Sequence, residues 1–479
     1  MTSDAPVVDE SLKREFTLRS AFTLAFVFIS PIVALYGVFA LVLTSAGPVG
    51  WWAFVVGLAG QLFVAGTFAI LSSKWPFEGS VYQWSRRLAG EHYGWFTGWA
   101  YVWTLVIAVM GGCYFIAGFI PVVLGIAPFS RGTQLIVAVA VVAVITALNA
   151  SGPKVVKGFS VASLCAEAIG SIGIGATLLI AHRHQPLSVI FHSAGAGAGP
   201  GGYLWAGFLA AVGFVGWSFV GFESAGAIAE EVKDARRNVP KAIVAALVAI
   251  GAVVLFSCLA LILATPDLRA AVSGQQADPA AQTITSALGA GITRPLFGLI
   301  IIGFLASALA AQTSGSRVIW SFARDGVLPG ARVLAKLTPT RKYPVNAVLL
   351  AGVMSGVSLL AAVQSTIYTT LVSFSTAGFF ISFALPVVAL LIIRLRGRWT
   401  PGPVTLGRWG TPIVIVAAAW TCFEAVNISW PRSYVHYTVI IAILVIALLG
   451  VVIWFFMRGK VATAEHELEV LNDEPVLSP

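Results

Sequence analysis

Long uninterrupted apolar runs, separated by short polar stretches, dominate the chain. Residues 136–148 and 439–456 contain no charge at all and are too long for a buried strand. About 20 apolar residues cross a bilayer as a helix. A helix is required because lipid offers no partner for a bare backbone N–H or C=O. The pattern predicts twelve spans, at about 20–46, 50–73, 94–124, 133–150, 158–181, 203–228, 240–264, 293–321, 345–362, 366–394, 410–430 and 435–457. The first, third and eighth are longer than a straight crossing needs, which predicts tilt or interruption.

Composition confirms the class. Of 479 residues, 58% are hydrophobic and 10% charged, against 45–50% and about 25% in ordinary soluble proteins. The surplus would aggregate if left exposed to water. The chain reads as an all-α polytopic membrane protein. Its formal charge of +9 does not indicate nucleic acid, because the basic residues make no patch interleaved with aromatics. Instead they fix orientation. All but Arg131, Arg183, Arg269, Arg294 and Arg432 of the 29 Lys and Arg fall on one side of the twelve-span topology. The positive-inside rule then places both termini in the cytoplasm and the protein in the cytoplasmic membrane. The four cysteines lie inside apolar segments and read as small buried hydrophobes. No metal-ligand spacing, catalytic cluster or cofactor motif appears, so neither an enzyme nor a cofactor is expected. Oligomeric state has no signal in the sequence.

Within that layout the chain divides into a cytoplasmic tail (1–19), a first five-helix block (20–181), an external linker (182–202), a second five-helix block (203–394), two further helices (395–457) and a disordered acidic tail (458–479). The glycine-rich run at 193–202 reads as a flexible connection. Two spans carry signals of a break. In span 1, ISPIVALYG places Pro31 after Ser30, and proline removes a donor and clashes with the preceding turn. Span 6, FLAAVGFVGWSFVGFESAGA, combines Gly213, Gly216, Gly221 and Gly226 with Glu223 at membrane depth. A carboxylate there costs about 2.5–3.5 kcal/mol on insertion scales and must face a partner or a cavity. These are the first spans of the two blocks. Interruptions at matching positions of two halves point to an inverted-repeat transporter with its site near the midplane.

Four stretches then carry a family resemblance. WSFVGFESAGAIAEEVKDARRNVPKAI (217–243) is similar to the sixth-span signature of the amino acid–polyamine–organocation superfamily of permeases, as found in bacterial amino acid and amine transporters. SRVIWSFARDGVLP (316–329), PFEGSVYQWSRRLAGEHYGWFTGW (76–99) and NASGPKVVKGFS (149–160) resemble its span-8 end, its loop after span 2 and its entry to span 5. The matches are in order and cover residues 20–395. The resemblance implies the leucine-transporter-like 5+5 inverted-repeat fold with helices 1 and 6 broken, and secondary transport of a small amino acid or related amine by alternating access. It places the substrate at the two breaks, with contributions from spans 3, 8 and 10.

On that basis the substrate contacts are expected at Ser30, Ile32, Val33 and Ala34 of span 1, and at Phe214, Val215, Trp217 and Ser218 of span 6. Trp217 holds the position of the aromatic that covers the substrate. SPIVALYG departs from the glycine-rich element of many amino-acid carriers. Bulky Ile32 and Val33 are expected to hinder a substrate α-carboxylate, which gives weight to a choline, polyamine or 4-aminobutyrate carrier. A non-transporting sensor is the alternative from another class. Coupling candidates are Glu167 and Glu223 for a proton, and Ser307, Thr313 and Ser314 for sodium. Glu167 reads equally as a contact for a cationic substrate or as an interhelical hydrogen-bonding group, and Glu424 as structural. Glu230, Glu231, Arg237 and Arg324 are expected to latch a cytoplasmic gate.

Overall fold

A computed structural model describes residues 12, 14–197, 202–276, 278–361, 367–432 and 437–473. No β-strand occurs among the described residues, only one isolated bridge between Phe16 and Val232. Eleven helical stretches are long and apolar enough to cross a membrane, and a shorter apolar helix adds to them. Together they account for the twelve expected spans.

Span 1 is three helices in line: α1 (Leu18–Ile29), α2 (Pro31–Tyr36) and α3 (Phe39–Ala46). Span 2 is α4 (Trp51–Lys74). The loop after it holds an unforeseen helix, α5 (Val81–Ala89), whose first five residues are buried. Spans 3 and 4 are α6 (Glu91–Leu124) and α7 (Arg131–Ala150). Span 5 is α8 (Pro153–Glu167), a wide π-helical turn at Ala168–Gly173, and α9 (Ile174–Ala181). Span 6 opens on a second π turn, Tyr203–Phe208, then runs through α10 (Leu209–Val215), a tight 3-10 turn at Gly216–Phe219 and α11 (Ser224–Ala227). Span 7 is α12 (Ala235–Ala264), followed by two short helices, α13 (Leu268–Val272) and α14 (Pro279–Leu288). Spans 8 to 12 are α15 (Ala290–Arg324), α17 (Val345–Ala361), α18 (Ile367–Leu395), α19 (Gly410–Ser429) and α20 (Thr438–Asp473), with the one-turn α16 (Ala331–Leu334) after α15.

Both expected breaks are present. α1 stops because Pro31 cannot continue its hydrogen bonds, and the same proline suits the first position of α2. Ser30 between them takes φ 51°, a conformation costly for a residue with a Cβ. Its hydroxyl accepts from Val33 N at 3.2 Å as a helix cap. In span 6 the chain leaves helical geometry at extended Val220 and turns at Gly221, where φ is +104°. A Cβ on Gly221 would lie 2.8 Å from the Phe28 ring. Glycine therefore lets the two broken spans touch.

α6 packs along α15 and α18, while α1 lies against α12, α15 and α8. The interrupted helices thus occupy the centre of the bundle. One expectation about the chain's end needs correction. The tail expected to be disordered continues helical to Asp473, because AEHELEV is rich in good helix formers; residues 474–479 lie outside the described residues. The start of the external linker is fastened: His184 N and Gln185 N both donate to Leu263 O, at 2.8 and 2.9 Å. Of the glycine-rich run, 198–201 lie outside the described residues.

Candidate functional site

A cavity of about 20 Å³ sits between the two breaks, lined by residues of five spans. Phe28, Ile29 and Val33 come from span 1, Gly112 from span 3, Trp217 and Val220 from span 6, Ser307 from span 8 and Phe379 from span 10. That volume admits about one water, so the site is closed around its core. The Trp217 indole reaches from Gly37 to Gly111. A Cβ at Gly37 would lie 3.3 Å from its Nε1, and one at Gly111 would lie 3.7 Å from its ring. The indole N–H is buried without a protein acceptor, and such orphans in native interiors call for a reason. Phe28 and Phe379 meet edge to face at 6.3 Å, and Phe379 continues to Phe383 at 5.7 Å.

The expected contacts divide. Val33 and Trp217 line the cavity. Ser218 Oγ donates to Ala34 O at 2.6 Å and ties break to break. Phe214 and Val215 are fully buried but do not line the cavity, and Val215 instead packs where a Cβ on Gly57 would stand. The two bulky residues of the span-1 break point in different directions, and Ile32 is not part of the cavity lining. Its side chain runs away from the cavity, toward Gly170 of the π turn and Gly303 of α15. Its bulk does not line the cavity, whereas Val33, the other bulky residue expected to hinder a substrate carboxylate, does.

What occupies the span-1 donors is Glu167. One carboxylate oxygen accepts from the Ser30 hydroxyl. The other accepts from Ile32 N at 2.9 Å and from Ser171 Oγ at 3.3 Å. A carboxylate thus sits on the exposed amide of the α2 N-terminus, where helix geometry favours negative charge. The π turn that follows directly displaces the chain at the position of this reach, a common use of such turns. Glu223 serves the second break in the same manner: it accepts from Gly221 N at 2.9 Å and from the Tyr101 hydroxyl at 2.9 Å. Glu424 is buried beside Asn427, 3.3 Å away, on the peripheral α19.

Of the sodium candidates, Ser307 meets span 1, donating to Phe28 O at 2.5 Å. Thr313 bonds Leu309 O at 2.8 Å and Asn149 Oδ1 at 3.3 Å, on the side of α7. Ser314 Oγ is buried without a protein partner.

Three of the four residues expected at the cytoplasmic gate, Glu230, Glu231 and Arg324, lie in ion pairs. Arg324 Nη1 donates to both Glu230 oxygens, at 2.9 and 2.7 Å. Glu231 pairs at 2.9 Å with Arg317, which was not foreseen and is 1% exposed. Arg317 also lies 3.8 Å from Glu78 and 4.3 Å from the Tyr343 ring centre. Glu78 and Glu230 exchange backbone contacts: Glu78 N donates to Glu230 at 3.0 Å, and Glu230 N donates to Glu78 at 3.2 Å. Burial, together with Glu231 and Glu230 beside it, pushes the Glu78 carboxyl well above its usual range. Arg237 takes no part; it is exposed on the outer face of α12. A second knot joins Asp325 to Tyr82, Gln83 and Arg86, each at 2.8–2.9 Å. The N-terminal segment closes the same end, with Phe16 N donating to Glu231 O at 2.9 Å and Lys233 N to Phe16 O at 2.8 Å.

A family model described as amino acid permease matches residues 20–456. An uncharacterized amino-acid permease of Schizosaccharomyces pombe is 27% identical over 96% of this chain and 88% of its own length. The branched-chain amino acid permease BcaP of Bacillus subtilis is 26% identical, over 94% of each chain. A choline transporter of Saccharomyces cerevisiae is 32% identical over 45% of this chain and 38% of its own length. The resemblance is thus not confined to bacterial proteins.

Proposed function

The chain belongs to the amino acid permease family and is an amino acid transporter; from that premise we propose that it carries a small substrate with an apolar side chain by alternating access, through the cavity beside Trp217. The observation that carries this reading is the cavity itself, which draws its walls from both broken spans and from spans 3, 8 and 10. Its lining is almost wholly apolar, and its one hydroxyl, on Ser307, is already engaged with Phe28 O. A site of that kind suits a branched or small aliphatic side chain better than a charged one, and the Bacillus relative is named for branched-chain amino acids. At about 20 Å³ the closed cavity must widen to admit any substrate, as alternating access requires.

Coupling falls to a proton on Glu167 in this reading, because that carboxylate holds the α2 N-terminus. A second reading, transport of an organic cation, draws on the same bond. With Ile32 N committed to Glu167, a substrate carboxylate lacks that donor, while Phe28, Trp217 and Phe379 offer ring faces suited to a quaternary ammonium. A relative named as a choline transporter supports keeping it.

Competitive uptake into proteoliposomes separates the two readings, with leucine, valine and choline as competitors under proton and sodium gradients imposed one at a time. Inhibition by the aliphatic amino acids under a proton gradient is expected; inhibition by choline alone would replace the first reading with the second. Trp217→Leu is expected to raise KM by roughly two- to tenfold, the worth of a lost aromatic contact. Trp51→Leu, whose indole N–H bonds Leu255 O at 3.0 Å away from the cavity, is expected to leave KM unchanged. Equal effects of the two would remove Trp217 from the site. In this reading both termini lie in the cytoplasm of a plasma-membrane protein; a reporter fused after Pro479 is expected to be active on that side, and activity on the opposite face would reverse the topology.

A further inference from the structure

Arg237, left out of the latch, stands at the mouth of a wide groove. Arg237, Lys241, Val244 and Val248 line it from α12, while Leu62 and Phe63 face them from α4. The segment around Val404 and Leu406, with Ile413 of α19, forms its far wall, and the groove measures about 1410 Å³. On α12 the spacing 237, 241, 244, 248 is one helical face, basic over its first two turns and apolar over the next two. The apolar part lies within membrane-spanning helices and is open: Val248 is 50% exposed and Phe63 37%. Arg237 and Lys241 are exposed and make no ion pair with an acidic residue among the described residues. No acidic residue lines the groove.

We propose that this groove is a binding site for an anionic phospholipid. An apolar channel at membrane depth receives acyl chains, and two unpaired cations at its end supply the counter-charge for a phosphodiester headgroup. A zwitterionic lipid would satisfy the channel but gains less from the cations, so the site selects by headgroup charge. Basic pockets between membrane helices on the positive side recognise anionic headgroups by this combination. Arg237 and Lys241 lie on α12, which packs directly on α1, so an occupied groove braces the helix behind the first break.

The test uses the whole protein, delipidated and then titrated with palmitoyl-oleoyl phosphatidylglycerol or, separately, the matching phosphatidylcholine, and read by native mass spectrometry. The wild type is expected to hold one phosphatidylglycerol in preference to phosphatidylcholine. In the Arg237→Ala/Lys241→Ala variant that preference is expected to fall about 30-fold, which is the attraction of two basic side chains, near 1 kcal/mol each, converted at 1.4 kcal/mol per tenfold. Val248→Trp, which fills the channel and keeps both cations, is expected to lower retention of both lipids. Arg396→Ala/Arg398→Ala removes two exposed cations at the end of α18, outside the groove, and is expected to keep the preference. An unchanged preference in the Arg237/Lys241 variant overturns the proposal, as does an equal loss in the Arg396/Arg398 variant. Each variant is first shown to melt with the wild type, so that a loss of lipid is not a loss of fold.

Discussion

Arg317→Met destabilises the protein by about 3–5 kcal/mol, the expected cost of stripping one partner from a buried ion pair. Arg317 is 1% exposed, its partner Glu231 6% and nearby Glu78 fully buried. Without the guanidinium, two carboxylates remain in the same dry pocket with Arg324 alone to serve three acids. Methionine fills much of the volume, so the loss is electrostatic and not a cavity effect. The neighbouring pair sets the control. Arg324 and Glu230 are 30% and 23% exposed, and a partly solvated pair of that kind is worth about 0.2–1 kcal/mol. Thermal midpoints in one detergent, measured for Arg317→Met, Arg324→Met and Arg317→Met/Glu231→Met, decide the matter. The double variant is expected to recover part of the loss, because it removes a stranded charge as well. Equal midpoints for the two single arginine variants would show that Arg317 is not the keystone of this end. In uptake, both single variants are expected to leak toward an open latch, with the larger change at Arg317.

That residue also shows where sequence reading stopped. The span count and both breaks were legible, because hydrophobic runs of bilayer length and a proline beside a serine act locally. The ion-pair cluster was legible in kind: acidic and basic residues crowd one end of the topology. Its membership was not, since the positive-inside pattern treats Arg237 and Arg317 alike as end-of-span charges. The available signal was helical spacing. Arg317 and Arg324 lie seven residues apart, two turns on one face, and meet Glu231 and Glu230 in turn. Arg237 lies on the face of α12 that looks outward. In the site, Trp217 and Val33 were expected from the family resemblance, and both line the cavity. The orientation of Ile32 did not, because it depends on Gly170 and Gly303, which come from other spans. Nor did the engagement of Glu167 with Ile32, across 135 residues of sequence. A buried carboxylate in an apolar span demands partners, yet only the packed bundle names them. The pair Gly170 and Gly173 after Glu167 was the one local hint of the wide turn that brings the carboxylate to the break.

Glu167→Gln is expected to cut uptake by ten- to a hundredfold and to leave what remains independent of pH. Hydrogen bonds to a charged acceptor are worth about 1.5–3 kcal/mol, and Glu167 takes three donors, from Ser30, Ile32 and Ser171. Glutamine keeps the shape and one good acceptor but loses the charge that complements the α2 N-terminus. It also cannot gain or lose a proton, so a transport step that needs the carboxylate to release Ile32 N on protonation has no trigger. Ser30, held at φ 51° between α1 and α2, is the hinge that such a release would free. Initial rates in proteoliposomes from pH 5.5 to 8, for wild type, Glu167→Gln and Glu167→Asp, separate the roles. Aspartate restores the charge on a shorter arm and is expected to recover pH dependence with a reduced rate. A merely structural carboxylate would give the opposite pattern: Glu167→Gln would retain the wild-type pH profile at any rate it reached, and Glu223, on the second break, would become the next candidate to couple transport to a proton.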